Sequence, residues 1–162
     1  MARALVTGAT GFVGMWVARQ LLKEKMSVRV LVRPNSDRRN LAGLNVEAVE
    51  GDLRDPDSLR AALQGCEELY HVAAFYSTAE EDGPLMYEIN VGGTKTLFKA
   101  ACRAGVQRIV YTSTIGTIGR PADGSLPTED TEFNLWDTSS HYARSKHLAE
   151  MVALSMAQDG MP

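Results

Sequence analysis

The chain has 162 residues, 17 Lys+Arg against 20 Asp+Glu, and a formal net charge of −3. With 44% hydrophobic and 23% charged residues it has the makeup of one folded domain, which excludes a collagen, a disordered tail and a highly basic nucleic-acid binder. Its longest apolar runs, such as residues 69–75 with Tyr70 and His71 inside, fall short of the roughly 20 residues that span a bilayer.

Residues 1–7 run directly into patterned sequence, so no signal peptide is expected. Ala4-Leu5-Val6 predicts a first strand. Residues 12–25 have helical period, with Val13, Trp16, Val17 and Leu21 on one face. Trp16 is expected in the core and Met15 at the surface. Val28-Arg29-Val30-Leu31-Val32 predicts a second strand and Val46-Glu47-Ala48-Val49 a weaker third. Asp55-Pro56 reads as an N-cap followed by proline at the first helical position, opening a helix that stops at Gly65. Residues 69–74 predict a buried strand, and residues 85–103 a helix ended by Gly105. Gly92-Gly93 inside that helix costs roughly 1 kcal/mol per glycine against alanine, which implies close helix packing. Residues 108–112 predict the next strand and residues 140–158 the last helix. Two long stretches without period, 76–84 and 116–139, follow strand ends.

Strands alternating with helices predict an α/β fold: a doubly wound parallel sheet with helices on both faces. Ligands bind such sheets at the carboxyl ends of the strands. About five strands are legible where such folds usually have six or seven. The chain is therefore expected to be the N-terminal part of a longer one, truncated before its substrate-binding segments. The two cysteines, Cys66 and Cys102, are expected as free thiols in a reducing compartment, which makes a cytoplasmic location the expectation. No His/Cys/Asp spacing points to a metal. His71 is expected as a strand residue, and His141 and His147 as solvated.

Three motifs carry chemistry. In Thr7-Gly8-Ala9-Thr10-Gly11-Phe12-Val13-Gly14 the glycines fall between a strand and a helix, the context a dinucleotide loop requires. Gly8 permits the tight turn, Gly11 lets backbone approach a pyrophosphate, and Gly14 lets the helix pack on the sheet. The helix N-terminus then offers free N–H groups and partial positive charge. Tyr142-Ala143-Arg144-Ser145-Lys146 places Tyr and Lys on one helix face. A nearby ammonium favours the phenolate and is expected to lower the Tyr142 pKa, so that the pair can exchange a proton with a substrate oxygen. Tyr111-Thr112-Ser113-Thr114 puts hydroxyls at a strand end, where one can donate to a developing alkoxide. Taken alone, each of the last two reads as surface or turn chemistry.

Together with Val30-Leu31-Val32-Arg33, Glu50-Gly51-Asp52-Leu53, His71-Val72-Ala73-Ala74 and Asn90-Val91-Gly92-Gly93-Thr94, these motifs resemble the extended short-chain dehydrogenases/reductases over the whole chain. More narrowly the chain is similar to the dihydroflavonol-reductase-like and hopanoid-associated sugar-epimerase-like branch. The resemblance implies a Rossmann fold. It implies that Tyr142 is the catalytic acid/base, that Lys146 holds the ribose hydroxyls and tunes the tyrosine, and that Thr114, with Ser113 as fallback, is the catalytic hydroxyl. It assigns Asp52 to the adenine amino group, Leu53 to the ring beside it, and Ala73 and Ala74 to the path of the cofactor. Gly8, Thr10, Gly11, Phe12, Val13 and Gly14 are expected to form the phosphate loop. By the same resemblance Asn90 is expected to support the active-site backbone and proton relay.

The leading expectation is reversible hydride transfer on a small carbonyl, alcohol or sugar substrate, by a reductase or by an epimerase or dehydratase. Tyr, Lys and Thr serve both. A non-catalytic dinucleotide sensor is the alternative, but such proteins lose the Tyr or Lys. NADP(H) is expected before NAD(H), because Arg33 stands after Val32 where NAD-dependent folds place an acid on the ribose. Arg38 could add a second contact and Asp37 could oppose it. A homodimer through the helices over 85–104 and 140–158 is also expected.

Overall fold

Five short strands pair side by side, all parallel, in the order β3-β2-β1-β4-β5. A computed structural model of the chain describes residues 2–162. The strands are β1 (Arg3–Thr7), β2 (Ser27–Val32), β3 (Glu47–Glu50), β4 (Glu68–His71) and β5 (Arg108–Tyr111). The helices are α1 (Phe12–Lys23), α2 (Pro56–Leu63), α3 (Gly83–Met86), α4 (Thr94–Arg103) and α5 (His141–Gln158).

Period-two alternation in the central strands builds two cores. Leu5, Leu31 and Leu69 face one way and pack with Leu59, Leu63, Leu97 and Phe98. Ala4, Val6, Val28 and Val30 face the other way and pack with Ala18 and Leu21 of α1. Burial on both faces is why these strands read as continuous apolar runs. Arg29 breaks the run. It is buried, donates to the carbonyls of Ala62 at 2.7 Å and Gln64 at 2.9 Å, and pairs with Glu47 at 3.0 Å. A cation thereby caps the C-terminal end of α2.

Several expectations are corrected. The buried stripe of α1 is Gly14, Met15, Ala18 and Leu21, so Met15 is inside. Trp16 is half-exposed beneath the Arg19 guanidinium, because Gly14 brings that side of the helix onto the loop below. Strand β4 ends at His71, and residues 72–74 leave the sheet toward the carboxyl-end crevice. The helix over 85–103 begins earlier and is not uniform: a π-helical stretch, Tyr87–Gly93, joins α3 to α4. The extra residue per turn is a feature common near functional sites. Of its two glycines only Gly93 is packed: a Cβ there would lie 2.8 Å from Leu53 Cβ, whereas Gly92 faces open space.

Candidate functional site

Strand β1, the loop after it and the first turn of α1 form one wall of a cleft of about 410 Å³ at the carboxyl ends of the strands. Gly8 has φ of +73° and a Cβ there would lie 2.7 Å from Ala73 N, so only glycine fits. A Cβ on Gly14 would lie 2.3 Å from the Gly8 carbonyl oxygen, so α1 can begin this close to the loop only with glycine there. Gly11 is the N-cap and no side chain caps the helix, which leaves its first-turn amides open toward the cleft. Asn40 steadies the loop by donating to the Thr10 carbonyl at 2.7 Å. Phe12 and Val13 also line the cleft and are largely exposed.

Arg33, Asp52, Leu53, Ala73, Ala74 and Tyr142 complete the predicted lining that the structure brings together. The Arg33 guanidinium is exposed and makes no hydrogen bond or ion pair among the described residues. Arg38 is instead engaged by Glu50 at 2.6 Å, and Asp37 by Arg39. Neither Arg38 nor Asp37 reaches the cleft. Asp52 accepts from Arg54, which holds its carboxyl down at about 2 and leaves it ionised at neutral pH. A carboxylate has about four acceptor positions, so room remains for an amino donor.

Lys146, Asn90 and Thr114 stand behind this surface. Lys146 is buried, donates to the Thr112 carbonyl and lies over the Tyr111 ring. Burial pushes it down to about 8. Asn90 is also buried. Its Oδ1 accepts from Phe75 N at 2.7 Å, and its Nδ2 donates to Phe75 O at 2.9 Å and Ser145 Oγ at 3.0 Å. It therefore brackets the backbone leaving β4 and ties it to α5. Thr114 lies on a second, more open cavity and caps the short turn Ile115–Thr117 by accepting from Gly116 N. Ser113, the fallback, donates to Glu150. The expectation that Lys146 lowers the Tyr142 pKa is not met. Burial pushes Tyr142 up and the Tyr76 phenol, whose ring meets it edge-on at 5.0 Å, adds to that. The ammonium points at Thr112 instead.

The two histidines expected in solvent are engaged. His141 bonds Glu80 at 2.7 Å and the Tyr87 hydroxyl at 3.2 Å, and His147 stacks on Phe133 at 4.4 Å. Glu80 and Tyr87 reach His141, and Phe133 and Trp136 of the long loop pack on His147.

A buried network escaped the sequence reading. Thr7 Oγ1 accepts from the amides of Val72 and Ala73, both at 3.2 Å, so its one proton goes to His71 Nδ1 at 2.7 Å. His71 Nε2–H then donates to Thr94 Oγ1 at 2.9 Å. This assigns the neutral Nε2–H tautomer, and burial holds the ring down at about 3. Thr7, Val72, Phe75 and Tyr76 also line the cleft. Only their position at the end of β1 or just after β4 could have flagged them.

A glycine-lined helix N-terminus at the carboxyl ends of a parallel sheet defines a nucleotide-binding α/β domain. Comparison places it further: residues 4–162 match the NAD dependent epimerase/dehydratase family, and the chain belongs to that family. It is 43% identical over 155 residues to a Synechocystis protein named "Putative dihydroflavonol 4-reductase", covering 96% of this chain and 45% of the relative. It superposes at TM-score 0.83 and 33% identity on a short-chain dehydrogenase/reductase superfamily protein from Agrobacterium tumefaciens with bound NAD, covering 98% of this chain and 46% of that one. The UDP-glucose 4-epimerase of Thermus thermophilus in complex with NAD matches at TM-score 0.83 and 29% identity, covering 97% and 51%. The chain thus spans about half the length of the relatives it matches. No described helix is long and apolar enough to cross a membrane.

Proposed function

We propose that this chain is the cofactor-binding half of an NADP(H)-dependent oxidoreductase that reduces a carbonyl or oxidises an alcohol. The observation that carries the reading is that Tyr142, from α5, lines the same cleft as the glycine loop. The likeness to the Synechocystis protein supports the reductase side. The loop and the open start of α1 suit a pyrophosphate. Asp52 and Leu53 would take the adenine, Arg33 a 2′-phosphate, and Lys146 the ribose hydroxyls. The small side chains of Ala73 and Ala74 leave the cofactor's path open.

When bound, the nicotinamide supplies or accepts a hydride. Tyr142 passes the proton to or from the substrate oxygen. The Thr114 hydroxyl donates to the alkoxide as it develops. Asn90 fixes the backbone at Phe75 and so holds one wall of the cleft. The relatives are about twice as long as this chain, and in this reading their further length supplies the rest of the substrate pocket. A cytoplasmic setting fits the free thiols of Cys66 and Cys102. A homodimer through α4 and α5 fits the half-exposed Met151 and Leu154.

A second reading, a nucleotide-sugar epimerase or dehydratase with tightly held NAD(P), draws on the likeness to the Thermus epimerase. One assay separates the two. Purified full-length protein is given NADPH or NADH with a dihydroflavonol, cinnamaldehyde or UDP-glucose. Stoichiometric cofactor oxidation with release of an alcohol supports the reductase. Sugar conversion without net cofactor change overturns it in favour of the epimerase. The 162-residue chain alone is expected to bind cofactor and not to turn over.

A further inference from the structure

The segment from Thr112 to Thr117 is fastened to α5 at two points one helical turn apart. Lys146 Nζ holds the Thr112 carbonyl at 2.8 Å. Four residues on, the same Oε2 of Glu150 accepts from the Ser113 hydroxyl and lies 3.1 Å from Thr117 Oγ1. Thr117 Oγ1 also lies 2.9 Å from the Thr114 carbonyl, so its single proton is shared between that carbonyl and Glu150. Thr114 sits between the two residues that this one carboxylate oxygen gathers. Among the described residues the Thr114 side chain makes no hydrogen bond to another element, whereas the backbone carbonyl of Thr112 is held by Lys146 and the hydroxyls of Ser113 and Thr117 by Glu150.

We propose that Glu150 is a positioning residue: it latches the turn that carries Thr114 onto α5 and so sets where the Thr114 hydroxyl stands relative to Tyr142. The inference rests on the roles given above to Tyr142 and Thr114. Tyr142 and Glu150 share α5, two turns apart, so the helix serves as a ruler between the phenol and the turn. Lys146 holds the segment at Thr112, before Thr114, and Glu150 holds the residues on both sides of it. The loop that follows, residues 118–139, has no regular element to brace it. Glu150 also lies near Lys146 and favours its charged form, so a purely electrostatic role is the competing account.

The two accounts separate on chemistry. Both hydroxyls converge on one oxygen, and glutamine offers such an oxygen without the charge. In the full-length protein, Glu150→Ala is expected to lower kcat about 10- to 100-fold, the cost of misplacing a reacting group by about 1 Å, with cofactor affinity within about twofold of wild type. Glu150→Gln is expected to recover most of the loss. A Gln variant as damaged as the Ala variant overturns the latch in favour of the charge. Ser113→Ala, which leaves Glu150 in place, should lower kcat in the same direction and serves if Glu150→Ala does not fold. In a Thr114→Val background, Glu150→Ala should cost nothing further. An equal cost in both backgrounds means Glu150 acts elsewhere and overturns the inference alone. Unchanged kcat in Thr114→Val overturns the role of Thr114 and this inference with it. A crystal structure of Glu150→Ala gives an arm that needs no substrate: the segment around Thr114 shifts while Tyr142 stays. A segment that stays in place overturns the proposal.

Discussion

Lys146 Nζ donates to the Thr112 carbonyl oxygen at 2.8 Å, which buries an ammonium between α5 and the end of β5. Burial lowers it from 10.5 to about 8. Between those values the unfolded chain holds the proton and the folded chain does not, so stability rises with pH across that window. At roughly 1.4 kcal/mol per unit the ceiling is about 3 kcal/mol. Urea unfolding from about pH 8 to about pH 10 should show this rise, and Lys146→Met should flatten it. An equal slope in both proteins would place the titration on another group.

Tyr142→Phe should keep cofactor affinity and lose most turnover in the full-length protein. The ring still meets Tyr76 edge-on, and only the proton-carrying oxygen is removed. General acid–base catalysis of this kind is worth about 10²–10⁴-fold. Cofactor titration and initial rates on the same sample check both halves, and a variant that keeps half the rate refutes the role.

Arg33→Ala should erase a preference for NADP(H) over NAD(H). The guanidinium stands free at the cleft while Arg38 and Arg39 are taken by Glu50 and Asp37. Arginine offers planar paired donors to a phosphate. Titration of both dinucleotides against wild type and variant is the measurement. Equal affinities in wild type, or an unchanged ratio in the variant, would remove Arg33 from phosphate reading.

His71 should make the protein acid-sensitive without any role in turnover. Burial holds its folded pKa well below the unfolded value, and Thr7 already donates to Nδ1. As pH falls below about 6.5 the unfolded chain takes up a proton that the folded chain refuses, so stability falls. The loss in denaturation midpoint between about pH 7 and about pH 5 should shrink in His71→Gln. A variant with the full wild-type loss would show that other groups drive it.

The glycine loop is legible in the sequence because it is local. Gly8, Gly11 and Gly14 lie within one strand–turn–helix unit, and backbone sterics demand glycine at 8 and 14. The parallel sheet is legible for a similar reason: apolar strands alternate with helices, and both sheet faces must be covered. Arg33, Asp52, Ala73 and Ala74 fall in the cleft because each follows a strand, and the carboxyl ends of parallel strands converge. The burial of Met15 over Trp16 depends on how closely α1 approaches the loop, which composition does not encode. The direction of the Lys146 ammonium, the opposite sign of the Tyr142 shift, and the hydrogen bonds from Thr7 to His71 and from Asn90 to Phe75 join positions far apart in the chain. Periodicity reports which face of an element is apolar. Which partner a buried polar atom finds is decided only when the elements pack, because leaving it unpaired away from water costs free energy.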